Sequence, residues 1–283
     1  MAADDPSGRG DRGPAGGGPA PAALGFDTSV AHPARIWDYF LGGKDNFAAD
    51  RMAAQDVLEV MPTMAMVARA GRAFLAAAVH YLATSGGVSQ FLDIGTGLPT
   101  ANNTHEVAQR ASQQARIVYV DNDPIVLSHA RALLTSGPDG KTAYVDADIR
   151  DTDRILAEAA RTLDFSQPVA VMLLAVLHFV PDADDPYKIT SRVLEALPSG
   201  SFLALSHASS DIETGLVAAG TERYNQRSAV PITPRTRAQV TRFFDGLDVV
   251  DPGVVPLGHW HPGPLQQFDS PGLPTYCAVG RKP

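Results

Sequence analysis

Cysteine occurs once in the 283 residues, as Cys277. A single cysteine excludes an internal disulfide and any cysteine-based zinc cluster. Its setting, the apolar run "TYCAVG", gives it a packing role. Lysine is also scarce, with only four among the 23 basic residues. No basic run is present and the net charge is −8, so there is no field to draw in nucleic acid. No apolar stretch approaches the ~18 residues of a membrane helix. The opening "MAADDPSGRGDRGPAGGGPAPAA" is acidic and lacks the apolar segment of a signal peptide. His259 and His261 of "HWHP" are two imidazoles without a third ligand, so no metal site is expected. Together these absences lead to the expectation of a soluble, cytoplasmic protein with neither nucleic-acid nor membrane partners.

Hydrophobic residues make up 45% of the chain, enough for one sizeable core with a smaller appendage. Residues 1–22 are Gly, Pro, Ala and Asp with almost no large apolar side chains, which predicts a disordered tail. Residues 23–87 read as a helical cap. "PARIWDYFLGG" places Ile36, Tyr39 and Phe40 on one helix face and ends in Gly42-Gly43, a stop and a candidate hinge. "NFAADRMAAQDVLEVM" carries Phe47, Met52, Val57 and Val60. "TMAMVARAGRAFLAAAVHYLA" repeats Met66, Ala70, Ala73, Ala77 and Tyr81 at helical spacing.

From Val88 to the end (residues 88–283) the rhythm changes. The strand-like runs "QFLDI", "RIVYVD", "TAYVDAD", "PVAVMLLAVL" and "SFLALSH" alternate with helix-like segments, which argues for a parallel sheet covered on both faces. The last two extended runs, "DVVDPGVVPL" and "TYCAVGRK", have no helix between them and are therefore expected to be antiparallel neighbours. The expected sheet is mostly parallel, with one reversed strand near its end.

In such a sheet a ligand sits beyond the carboxyl ends of the strands, near the switch in strand order. "FLDIGTGLPT" supplies the first loop, with Asp93, Gly95, Thr96 and Gly97. Two glycines allow a sharp turn and close approach to a ligand. Leu98-Pro99-Thr100 stands where a pyrophosphate-binding loop would carry a third glycine, and Asp93 is an awkward neighbour for phosphate. Asp121, 26 residues after Gly95, is placed to accept from ribose hydroxyls, beside Asn122. Asp148 could accept from an adenine amine, with Ile149 along the ring. Ala175 ends the fourth strand at the same edge. A cationic, amine-bearing, phosphate-free nucleoside suits three carboxylates and a glycine loop, and S-adenosylmethionine (SAM) is such a ligand.

"FLDIGTG", "VYVDNDPIVLSHAR", "AYVDADIRD", "VLHFVPD" and "LPSGSFLALSH" resemble, in order and spacing, the successive motifs of class I SAM-dependent methyltransferases. More narrowly, "ARIWDYFLGGKDNFAADR" joined to "FLDIGTGLPT" resembles a bacterial methyltransferase family, known mostly from actinomycetes and long catalogued as a domain of unknown function. The resemblance implies a Rossmann-like α/β fold with a seven-stranded sheet, an N-terminal helical cap and SAM as cofactor. It implies no acceptor, for which a small molecule is the expectation given the acidic charge.

The cofactor-binding candidates are then Asp93, Gly95, Thr96, Gly97, Asp121, Asn122, Asp148, Ile149 and Ala175, with Arg35 and Tyr39 from a cap that folds over the pocket as a lid. His178 in "VLHFVPD" is the candidate general base, although "LH" is common in the class without a catalytic role. His207 is a candidate substrate contact. So are Arg223, Tyr224 and Arg227 between the fifth and sixth strands, against the alternative of a solvated helix face. Two rival functions stay open: a SAM-binding sensor without transfer activity, and an NAD-dependent oxidoreductase, which the missing third glycine disfavours.

Overall fold

The computed structural model describes residues 27–133, 139–262 and 272–283. The predicted tail, residues 1–22, lies outside the described residues. Three helices come first: α1 (Pro33–Leu41), α2 (Ala48–Val60) and α3 (Met64–Thr84). Pro33 opens α1, where its missing N–H costs nothing. Gly42, in the left-handed conformation at φ 80°, ends it. The Gly43 N–H bonds back to the Asp38 carbonyl at 2.9 Å, while the Asp38 carboxylate holds the Asp45 N–H and the Asn46 amide. A Cβ on Gly43 would run into that carboxylate. Gly42-Gly43 is therefore a locked helix end rather than a free hinge.

The burial of α3 corrects the expected stripe. Val67, Phe74, Leu75, Ala78, Val79 and Leu82 face the core, while Met66 is 53% exposed. The Met66–Ala70–Ala73–Ala77–Tyr81 repeat tracked small residues along the flank, and the larger side chains decide which face is buried. On α2, Ala53, Ala54 and Val57 are buried and Met52 points outward for the same reason.

The sheet follows with β1 (Gln90–Ile94), α4 (Thr104–Ala111), β2 (Arg116–Asp121), α5 (Pro124–Leu133), β3 (Lys141–Asp146), α6 (Thr152–Ala159), β4 (Ala170–Leu174), α7 (Pro186–Glu195) and β5 (Phe202–Ala208). After these come α8 (Thr214–Arg227), α9 (Arg237–Thr241), β6 (Asp248–Val249), β7 (Val255–Leu257) and β8 (Leu273–Arg281). The strand order is β3-β2-β1-β4-β5-β8-β6, with β7 also on β8. β1 to β5 are parallel, and β8 alone is reversed, running antiparallel to β5, β6 and β7. The sheet thus has eight strands rather than seven. The extended run expected as the sixth strand breaks at the turn containing Pro252 and Gly253, and its two halves pair with β8 separately.

Alternation along the strands divides the core. Leu92, Ile94, Val118 and Val120 pack on the face covered by α6 and α7. Phe91, Ile117 and Tyr119 pack on the other face with α3 and α4. Asp93 falls between Leu92 and Ile94 and so points toward α3 and α4. A third apolar cluster joins the cap to α8 through Ile36, Phe40, Val57, Met61, Val217 and Tyr224. No helix among the described residues is long and apolar enough to cross a membrane.

Candidate active site

The order of strands reverses between β1 and β4, and a cavity of about 270 Å³ lies there, between the strand ends and the cap. Gly95 (φ 77°) and Gly97 (φ 66°) both adopt the left-handed conformation that favours glycine. The Gly95 N–H bonds the Val120 carbonyl at 2.8 Å, and the Gly97 N–H bonds the Asp121 carboxylate at 2.8 Å. The loop is thereby tied across to β2. The two glycines serve different needs. A Cβ on Gly95 would sit 2.5 Å from Val176 Cγ2, whereas one on Gly97 would meet no atom within 4 Å. Gly95 makes room for the protein, and Gly97 leaves open the space that the cavity occupies.

Asp93 is 4% exposed. It accepts a hydrogen bond from Thr104 Oγ1 at 2.6 Å. Burial pushes its pKa up to about 6, against the pull of Thr104 and of Arg72. Arg72, from α3, lines the same cavity. Its NH2 group donates to the Ala101 and Asn102 carbonyls. Among the described residues its buried Nε has no hydrogen-bond partner. Burial lowers its pKa, with Asp93 acting in the opposite sense. A buried anion and a half-buried cation thus face one pocket. An amino-acid zwitterion is complementary to that pair.

Asp121 lies at the end of β2. One carboxylate oxygen accepts from the Asp123 N–H at 2.9 Å and the other from Gly97. A carboxylate offers about four lone-pair sites, so one remains on each oxygen. Burial raises its pKa. Asp148, beyond β3, is more committed. It accepts from Asn122 Nδ2, from the Arg150 N–H and from the Arg150 guanidinium. A ligand amine there has to share Asp148 with Asn122 or displace Arg150. Ile149 is buried beside it. Ala175, at φ 55°, donates its N–H to Ser206 and closes the end of β4 against β5.

All nine candidates from the strand ends line this cavity, as does His178. Arg35 and Tyr39 do not. They sit four residues apart on one helical stripe, turned away from the cavity, while Ile36, Trp37, Phe40 and Leu41 of α1 face it. Arg35 is buried, within 3.6 Å of Asp50 and 3.7 Å of Asp123, and clamps the cap to the loop after β2. Tyr39 accepts from Gln55 on α2. Sequence pattern marked α1 as a cavity wall but chose the wrong stripe.

His207 also turns away, because neighbouring strand residues point to opposite faces. Its Nδ1 donates to the Ala208 carbonyl and its Nε2 accepts from Arg235, each at 2.8 Å. Burial drives its pKa down to about 3, so it is neutral and structural. Tyr224 of α8 is buried in the cavity wall, whereas Arg227 pairs with Asp56 on α2 at 2.8 Å. Arg223 is exposed and does not line the cavity. Arg72 was missed by sequence reasoning altogether.

A family profile described as S-adenosyl methyltransferase matches residues 20–283. Among solved structures, a DUF574 family protein from Streptomyces avermitilis MA-4680 is 44% identical, with TM-score 0.86, over 90% of this chain and 99% of that one. A protein from Thermobifida fusca YX, provisionally described as a methyltransferase, is 37% identical, with TM-score 0.82, over 93% and 98%. No functionally curated protein matches significantly.

Proposed function

The chain belongs to the S-adenosyl methyltransferase family, and from that premise we propose that its cavity binds SAM and directs methyl transfer to a small-molecule acceptor. The observation that carries this reading is that Asp93 and Arg72 line one cavity at the glycine loop, one step along the sheet edge from Asp121. The ammonium of the methionine moiety would be held by the ionised Asp93, and its carboxylate by the Arg72 guanidinium. The ribose hydroxyls take the remaining lone pairs of Asp121. The adenine lies along Ile149, beside Asp148 and Asn122. The three carboxylates at the strand ends favour this ligand over a dinucleotide, whose phosphates they would repel.

SAM supplies a sulfonium methyl open to in-line displacement. The residues of this chain have to orient the acceptor and exclude water. Fixed orientation alone is worth roughly 7–11 kcal/mol in favourable cases, so no residue need form a covalent bond. The cap is placed for the second task. Ile36, Trp37, Phe40 and Leu41 cover the pocket from α1, and Arg72 reaches into it from α3. The cap therefore serves as a lid that also completes the cofactor site. An acidic chain without a basic run favours a small acceptor over a nucleic acid.

Calorimetric titration tests the reading. S-adenosylhomocysteine (SAH) should bind one per chain and NAD should not compete. Radiolabelled SAM incubated with a small-metabolite extract should yield a protein-dependent labelled product. NAD binding without SAH binding would reverse the assignment.

A further inference from the structure

Beyond the strand ends the cavity continues between the cap and α8. Its wall there is formed by Val57 and Met61 at the end of α2, by Val217, Gly220 and Tyr224 of α8, and by Phe179. Apart from Gly220, these residues belong to the third apolar cluster, against which Phe179 packs from the loop after β4. None of them is charged. The ion pairs those helices make, Arg227 with Asp56 and Arg35 of α1 with Asp50, are spent on themselves and line no part of the cavity. The two titratable residues that α1 and the segment before it bring to the cavity are also committed. The Asp38 carboxylate holds Asp45 and Asn46, and His32 pairs with Asp123 at 2.8 Å. The Tyr224 hydroxyl accepts from Ser228 Oγ, and burial raises its pKa, so it stays protonated.

One polar atom of this wall is both fixed and unused. His178 is 7% exposed and lines the cavity. Its backbone is pinned by the Thr233 N–H, which donates to the His178 carbonyl at 2.7 Å. Its ring is pinned by Phe179, whose centroid is 4.3 Å away, and by the Ala208 N–H, which donates to Nδ1 at 3.4 Å. An Nδ1 that accepts leaves the proton of the neutral ring on Nε2. Burial, with His207 and Arg235 adding to it, keeps the ring neutral by holding its pKa well below the ordinary value. Among the described residues no group pairs with Nε2. A neutral ring in this tautomer presents a hydrogen-bond donor at Nε2, suited to orienting a bound molecule.

We propose that the acceptor is an uncharged, apolar molecule of aromatic size, seated between α2 and α8 and oriented by a single hydrogen bond from His178 Nε2–H to an oxygen or nitrogen of that molecule. The proposal rests on the SAM reading, because the cofactor fills the polar end of the cavity and leaves this end for the acceptor. A carboxylate or ammonium here would meet no counter-charge, and burying an unpaired ion costs several kcal/mol. The aromatic lining from Trp37, Phe40, Phe179 and Tyr224 suits a flat ring.

The test uses the full chain with SAH held at saturation and three probes of one shape: 2-naphthol, naphthalene and naphthalene-2-carboxylate. Binding is read by quenching of tryptophan fluorescence. 2-Naphthol should bind at one per chain, and the carboxylate on the order of a hundredfold more weakly. His178→Leu should weaken 2-naphthol by about three- to tenfold, leave naphthalene unchanged and leave SAH affinity unchanged. His178→Gln, which keeps an N–H donor, should recover part of the loss. Thr221→Trp, on the α8 face of the cavity, should exclude both neutral probes while SAH still binds. Intact SAH binding with no 2-naphthol binding, or with the carboxylate bound as tightly, overturns this proposal alone. So does 2-naphthol binding that ignores both His178→Leu and Thr221→Trp. Failure of SAH to bind the wild-type chain overturns the cofactor reading and this proposal with it.

Discussion

Replacing Asp93 with Asn should make the ligand-free protein more stable and a weaker binder at the same time. Burial lifts the Asp93 pKa from 3.8 to about 6. In the folded state the carboxyl therefore holds its proton more tightly than in the unfolded chain. Below pH 3.8 both states are protonated and the group has no effect. Between 3.8 and about 6 the folded state binds more protons, so stability falls as pH rises. Above 6 the cost of the buried charge is fully present. A shift of about two units at ~1.4 kcal/mol each puts that cost at up to about 3 kcal/mol. Asn can still accept from Thr104 Oγ1 and carries no charge, so it relieves most of this. The thermal midpoint at pH 7.5 should rise by several degrees, and the gain should vanish near pH 4. Binding moves the other way. Losing a charged acceptor for the ligand ammonium costs roughly 1.5–3 kcal/mol, about ten- to a hundredfold in affinity. Wild-type affinity for SAH should itself fall about tenfold from pH 7 to pH 5 as Asp93 is protonated, whereas the Asn variant should lose most of that dependence and keep only the part due to Asp121. Thermal scans from pH 4 to 8 and calorimetric titrations at each pH read both effects. An Asn variant no more stable than wild type at pH 7.5, still showing the wild-type pH dependence of binding, would mean that Asp93 neither carries a costly buried charge nor holds the ligand.

Further outcomes follow from the same geometry. Arg72→Met keeps the packing of the stem on α3 but removes the donor, so SAH affinity should fall about tenfold or more while adenosine affinity stays within twofold. Gly95→Ala should destabilise the fold, because its methyl meets Val176 and its φ is left-handed. Gly97→Ala carries only the conformational cost, about 1–2 kcal/mol, and should show its larger effect in SAH titration. Asp121→Asn should weaken SAH by about ten- to a hundredfold, since the amide nitrogen cannot accept from a ribose hydroxyl. If the cap is a lid, hydrogen exchange in residues 33–47 should slow when SAH binds, and unchanged exchange with unchanged affinity after Arg227→Ala would reduce the cap to packing.

Where the chain speaks through local pattern, its structure is legible from sequence. "QFLDI" and "RIVYVD" coincide with β1 and β2 because short β-rich runs are bounded by sharp changes in composition. Their terminal Asp93 and Asp121 reach the cavity because a parallel sheet puts every strand end on one edge. The helices of the cap are equally visible in their period. Their rotation is not. Tyr39 and Arg35 look as eligible as Trp37 and Phe40 until packing against α2 decides which stripe faces inward. The α3 stripe fails for a related reason, since alanines fit either face and only Phe74, Leu75 and Leu82 break the tie. Arg72 is hidden because it shares the cavity with Asp93, which comes from another element, and that proximity is tertiary. The one local sign of it is a charge one alanine ahead of the buried pair Phe74–Leu75. Asp148 shows the opposite limit. Its position is readable, but its saturation by Arg150 and Asn122 depends on side-chain geometry.

A crystal structure with SAH bound decides whether one pocket takes a phosphate-free adenosyl amino acid between Asp93 and Arg72. The expected density places the ammonium within hydrogen-bond distance of Asp93, the carboxylate on the Arg72 guanidinium, and the ribose hydroxyls on Asp121. SAH found elsewhere, or in this cavity with its carboxylate turned away from Arg72 and its ribose away from Asp121, would contradict the account.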